Sequence, residues 1–183
     1  MKKNKKRKTT AAEPTPANPF VHLPAAGLAR RLGALIYDSL VVAAVMMFTA
    51  GIGAGVALVL EAMGFLSTQG YVDMADYLSK NLVYQLWIWF IFVGFYVFFW
   101  TRGGQTIGMR AWRLRIQNED GTAINKTQAV IRLATACCGL GNLFVPFNKP
   151  KHRSFQDHWA DCEMVVLTKE LNNRVTLKGV KWY

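Results

Sequence analysis

The sequence predicts an all-α membrane protein with two transmembrane helices, a third broken or re-entrant apolar helix, and a small cytoplasmic pair of β-strands. Three observations predict it. Two runs, 32–60 and 82–100, are long and apolar enough to cross a bilayer and hold a single charge between them, Asp38. A third apolar run, 129–147, is interrupted by Arg132, Gly139, Gly141, Asn142 and Pro146. Two short stretches on either side of that run, 111–117 and 163–168, have strand character.

Composition agrees. Of 183 residues, 52% are hydrophobic and 18% charged, and the formal net charge is +11. Soluble domains are about a quarter charged, so charge has been removed from particular runs, and a disordered chain is excluded. The length suits one unit, with no room for two large cores. The three cysteines, Cys137, Cys138 and Cys162, form neither a disulfide framework nor a paired zinc spacing.

Residues 1–27 begin with six basic residues in the first eight and continue through Pro14, Pro16, Pro19 and Pro24 without apolar periodicity, which predicts a solvated cytoplasmic tail. The basic cluster lacks the interleaved aromatics of a nucleic-acid platform, so attraction to a membrane surface is the expected role. In the first span, 29 residues hold one charge. A cleaved signal peptide would have only about 7–15 apolar residues, so the run is expected to stay as a helix. Gly51, Gly53 and Gly55, with Ala50 and Ala54, put small residues one turn apart, either where a second helix approaches closely or simply because a membrane helix tolerates glycine.

The connector 61–81, with Glu61, Asp73 and Asp76 against Lys80, reads as an external loop. The second span, 82–100, covers about 28 Å as helix, with Tyr84, Trp87 and Trp100 near its ends. Eight basic residues precede the first span, one lies between the spans and five lie in 101–128, so the positive-inside rule places both ends of the helical hairpin in the cytoplasm.

Next, 111–117 alternates apolar and polar side chains before the turn signal Asn118-Glu119-Asp120-Gly121, and Glu163–Thr168 is β-prone. If these strands pair, they lie on one side of the membrane, and the run between them cannot cross it. A broken, re-entrant or interfacial third segment is therefore expected, since irregular backbone at membrane depth is allowed under protein cover. A full third span with an external C-terminus is the alternative. Residues 169–183 read as a C-terminal tail.

Asp38 is the residue to explain, because a carboxylate inside a span is costly unless paired, solvated or protonated. It is either a functional group or a helix-locking contact. Arg31 shares its helical face two turns away, but helical side chains lean toward the N-terminus, so a direct pair is not expected. Arg102, Arg110 and Arg132 are the candidate charge partners for Asp38, leaving Arg31 for an aspartate such as Asp157.

Three stretches carry a family resemblance: Arg31-Leu-Gly-Ala-Leu-Ile-Tyr-Asp38; Gly104-Gln-Thr-Ile-Gly108 followed by Trp112-Arg-Leu-Arg-Ile116; and Asp157-His-Trp-Ala160 before Met164-Val-Val166. In this order around two apolar spans, over residues 27 to 168, they resemble the RDD family of bacterial membrane proteins. The family's arginine and two aspartates fall on Arg31, Asp38 and Asp157. The chain departs from the family pattern at Gln156, where histidine is usual, and at Asp161 and Cys162, where a glycine-threonine pair is usual. The resemblance implies a multi-pass protein of the bacterial cytoplasmic membrane that exchanges monovalent cations for protons, with Arg31, Asp38 and Asp157 as the ion or proton site. Two helices enclose no pathway alone, so a homo-oligomer or a membrane protein partner is implied.

Other chemistry is weaker. His152, Asp157, His158, Asp161 and Cys162 lie close together but lack zinc spacing, and no metal is expected. Gly103–Gly108 lacks the lysine ending of a phosphate loop and reads as a helix end followed by a turn. No catalytic triad or nucleotide fingerprint is present, so neither an enzyme nor a cofactor is expected. A non-enzymatic assembly factor or adaptor that binds a protein partner is the competing class.

Overall fold

The computed structural model describes residues 18–148, 153–177 and 179–180; most of the basic tail and His152 lie outside these. The chain is mostly helical. Helix α1 (Leu28–Ala62) has 35 residues, about 52 Å of helix. A short helix α2 (Met74–Lys80), capped by the Asp73 side chain, precedes α3 (Leu82–Arg102), which is capped in turn by Asn81. Both long helices are apolar and long enough to cross a membrane. They pack against each other through Gly53, where a Cβ would stand 2.8 Å from the Tyr84 ring, and the Tyr84 hydroxyl donates to the Ala50 carbonyl at 3.2 Å. Gly51 and Gly55 face open space instead.

Gly103 ends α3, and Gly104 adopts φ +71°, a left-handed turn in which a Cβ would collide with the Ile116 carbonyl. Thr106 then caps the five-residue helix α4 (Ile107–Ala111). Strand β1 (Leu114–Gln117) pairs antiparallel with β2 (Glu163–Val166), Leu114 opposite Val166 and Gln117 opposite Glu163. Both strands expected from the sequence are present. They are not a hairpin: the apolar run 129–147 lies between them.

That run is not one helix. Helix α5 (Lys126–Thr135) opens with a reciprocal Asn125/Gln128 capping box and spans only about 15 Å. A 3-10 stretch, Cys137–Phe144, follows, with Gly139 at φ +95°. Helix α6 (Phe155–Trp159) precedes β2.

The described parts of the two expected tails, 18–27 and 169–180 apart from 178, are packed against the rest of the fold. Phe20 and Ala26 are fully buried, and after turns at residues 19–22 the stretch 24–26 runs along the free edge of β2, the Ala26 amide donating to the Met164 carbonyl and the Val166 amide to the Pro24 carbonyl, both at 2.8 Å. The reason lies in Phe20, whose ring lies 4.3 Å from the buried Arg115 guanidinium. Beyond Thr168, helix α7 (Lys169–Arg174) leads into a hairpin of β3 (Val175–Thr176) and β4 (Gly179–Val180), with Val175 buried against Phe20, Val165 and Leu167. The main core gathers at one end of the long helices, where Ala34, Trp100, Met109, Leu114, Ile116, Ala129, Cys162 and Met164 meet.

Candidate functional site

Two buried carboxylates lie in this core and are held in different ways. Asp157 is fully buried at the third position of α6, where it forms a reciprocal capping box with Ser154. Its Oδ2 accepts from the Arg31 guanidinium at 2.6 Å and from the Ser154 amide at 3.0 Å, and its Oδ1 accepts from Arg132. Arg31 also donates through Nε to the Ala26 carbonyl at 2.9 Å and to the Ser154 hydroxyl at 3.2 Å. Arg132 donates to the Cys162 sulfur at 3.2 Å, and its guanidinium carbon lies 5.4 Å from the Trp100 ring centroid. One carboxylate therefore ties α1, α5 and α6 together.

The electrostatics follow from this geometry. Burial pushes the Asp157 carboxyl up, but the pull of Arg132, then of Arg31, outweighs it and holds the group well below the usual carboxylate range. Burial likewise works against the Arg132 charge, and Asp157 more than compensates. Burial pushes the Cys162 thiol up, so it remains a neutral acceptor for Arg132.

Asp38 lies on the α1 face two turns beyond Arg31 and is 4% exposed. Among the described residues it has no arginine partner. Its Oδ2 accepts from the Thr106 hydroxyl at 2.5 Å, and its Oδ1 accepts from the Gly108 amide at 2.8 Å. The arginines expected beside it are elsewhere: Arg132 is engaged by Asp157, Arg102 lies against the Phe98 ring at 5.5 Å, and Arg110 is exposed on α4. The physical reason is the closeness of α4 to α1. At Gly108 a Cβ would stand 2.5 Å from the Ala34 carbonyl and 2.9 Å from the Asp38 carboxyl carbon, so a neutral hydroxyl and an amide reach the carboxylate where no long side chain fits.

A cavity of about 590 Å³ joins the two carboxylate systems. Arg31, Leu35 and Asp38 of α1, Trp89, Phe92, Tyr96 and Trp100 of α3, and Val130, Arg132 and Leu133 of α5 line it. Among the described residues the Tyr96 hydroxyl makes no hydrogen bond, while its ring meets Phe92 edge-on at 5.4 Å and Trp100 at a tilt at 5.1 Å.

The structure thus brings Arg31, Asp157 and Arg132 together and sets Asp38 apart with Thr106 and Gly108. These last two escaped the sequence reading, although both lie in the Gly104–Gly108 motif, which predicted only a turn. The departures near Asp157 acquire structural reasons. Asp161 stands at φ +45°, the conformation glycine favours and aspartate tolerates. Cys162 supplies the acceptor for Arg132, and Gln156 donates to Asn142 at 2.9 Å. His158 and Asp161 do not join Asp157 in a metal cluster among the described residues.

The family model of the RDD family matches residues 25–161, a stretch that contains both carboxylates together with Arg31 and Arg132. No curated protein and no solved structure matches the chain.

Proposed function

The chain belongs to the RDD family, and from that premise we propose that it spans the bacterial cytoplasmic membrane twice and exchanges a monovalent cation for a proton at Asp38. Exposed apolar surface supports the membrane placement. Leu40, Met47, Phe48, Val83 and Phe90 are 69–77% exposed along α1 and α3, a cost in water that disappears in lipid. Backbone pairing supports the topology: the segment that leads into α1 bonds to β2 through Pro24 and Ala26, and β2 pairs with β1, so these three segments share one side. With two crossings before β1, the broken run 129–147 returns to the side it left. The basic residues on that side make it cytoplasmic under the positive-inside rule.

One observation carries the exchange reading. Asp38 meets a cavity with only a hydroxyl and an amide as partners, whereas Asp157 is saturated by two guanidinium groups. A carboxylate at membrane depth without a fixed counter-charge must take up a proton or a cation, and alternating between them is exchange. Asp157 with its arginines is then the clamp that shapes the cavity wall. Because one protomer offers two long helices, the working unit is a homo-oligomer.

The test is proton flux in proteoliposomes with a pH-sensitive dye and cation pulses. Wild type is expected to release protons on a cation pulse, and Asp38→Asn, folded and inserted at wild-type yield, is expected to release none. Absence of flux from correctly inserted wild type with every cation overturns the reading in favour of an adaptor, and cross-linking for a protein partner is then the next experiment.

A further inference from the structure

We propose that the cation taken at Asp38 is a lipophilic organic monocation, its charge at the carboxylate and its apolar substituents against the aromatic face of α3. This rests on the exchange reading and names the substrate class of the same site. The cavity of about 590 Å³ is of the size that holds a small organic molecule and far exceeds a bare alkali ion. Hard metal ions are held by shells of several oxygens. Here both oxygens of Asp38 already accept one hydrogen bond each, and most of the remaining wall is hydrocarbon.

The wall itself suits a cation with apolar arms. Trp89, Phe92 and Tyr96 follow the helical repeat on one face of α3, and all three line the cavity. Trp89 meets Phe92 edge-on at 5.7 Å and 88°, and Phe92 meets Tyr96 at 5.4 Å and 70°, so neighbouring π-faces point in different directions around one space. The faces of such rings attract cations, most strongly where water is excluded. The next ring along this face, Trp100, already has one: the Arg132 guanidinium lies 5.4 Å from its centroid.

Charge balance is kept. The proton on the Asp38 carboxyl leaves to water as the organic cation enters, so the cavity's net charge does not change. Besides Thr106 and Gly108 at the start of α4, the polar and charged side chains lining the space, tryptophans apart, are Arg31 of α1, Tyr96 of α3, Arg132 of α5, Cys137 and Asn142 of the 3-10 stretch and Gln156 of α6; both arginines are bound by Asp157, and Gln156 donates to Asn142.

The experiment is equilibrium binding of radiolabelled tetraphenylphosphonium to the full chain in detergent, with tetraphenylborate as an anion of the same shape. Saturable binding with proton release is expected, the borate competing at least tenfold more weakly. Phe92→Leu, which keeps apolar bulk but removes the ring, is expected to weaken phosphonium binding about tenfold, and Asp38→Asn to abolish it. No saturable phosphonium binding, equal or stronger competition by the borate, or unchanged affinity in Phe92→Leu each overturns the inference. Asp38-dependent proton flux with sodium and no phosphonium binding removes only this substrate class. Loss of Asp38-dependent flux with every cation, phosphonium included, removes the exchange reading as well.

Discussion

At the scale of single residues, Asp157 and Asp38 respond differently to the same change. Replacing Asp157 by asparagine leaves Arg31 and Arg132 facing each other in the core, and removal of one member of a buried ionic cluster costs about 3–5 kcal/mol. Asp157→Asn is therefore expected to lower the thermal midpoint and the folded yield sharply. Asp38→Asn retains an acceptor for Thr106 or Gly108 and is expected to cost only about 1 kcal/mol. The pH dependence has a sign. The Asp157 carboxyl is held below its ordinary value, so its contribution is fully present above that value and is lost as acid drives the pH down toward the folded-state value. The difference in melting midpoint between wild type and Asp157→Asn should hold steady from about pH 8 to 5 and shrink only below about pH 4, the ordinary carboxylate range. A difference that shrinks between about pH 7 and 5 would contradict the clamp. The sequence marked Arg31, Asp38 and Asp157 as the ionisable residues to watch. It put Arg31 with Asp157, as found, but expected an arginine beside Asp38, where the closeness of α4 to α1 at Gly108 leaves room only for a hydroxyl and an amide.

At the scale of elements, the contact between α1 and α4 decides whether Asp38 keeps its partners. Gly108→Ala would drive a Cβ into the Ala34 carbonyl oxygen, backbone that cannot swing aside, and push the α4 amide off Asp38. Cation-dependent proton flux is expected to fall at least tenfold, consistent with loss of a buried charge-assisted hydrogen bond of about 1.5–3 kcal/mol. Gly55→Ala is the control, since nothing lies within 4 Å of its position, and it should leave flux unchanged and stabilise α1 by up to about 1 kcal/mol. Equal loss in both variants would mean that helix substitution itself is harmful. Elements with a periodic signal were legible: both long helices, the strand pair and the break in the third run follow from hydropathy, alternation and the Gly139 and Pro146 interruptions. Residues 18–27 were not, because Phe20 is a lone aromatic among prolines and its burial depends on Arg115, 95 positions along the chain.

At the scale of the molecule, the bonds from Ala26 and Val166 and the β1–β2 pair close the chain into a loop whose ends share one side. Single-cysteine variants on a background without Cys137, Cys138 and Cys162 test this with a membrane-impermeant maleimide on intact cells. Labelling is expected at Gly70, in the connector between the long helices, and not at Thr122 or Leu140. Labelling at Leu140 from outside would restore a third crossing. On the proposed reading, Asp38 carries the exchangeable proton and Asp157 stays a carboxylate throughout. Dicyclohexylcarbodiimide, which adds to protonated carboxyls in apolar surroundings, tests it most directly when the modified residue is mapped by mass spectrometry. The expected result is modification at Asp38, suppressed by the transported cation, with Asp157 untouched; an inert Asp38, or modification at Asp157, would contradict the account.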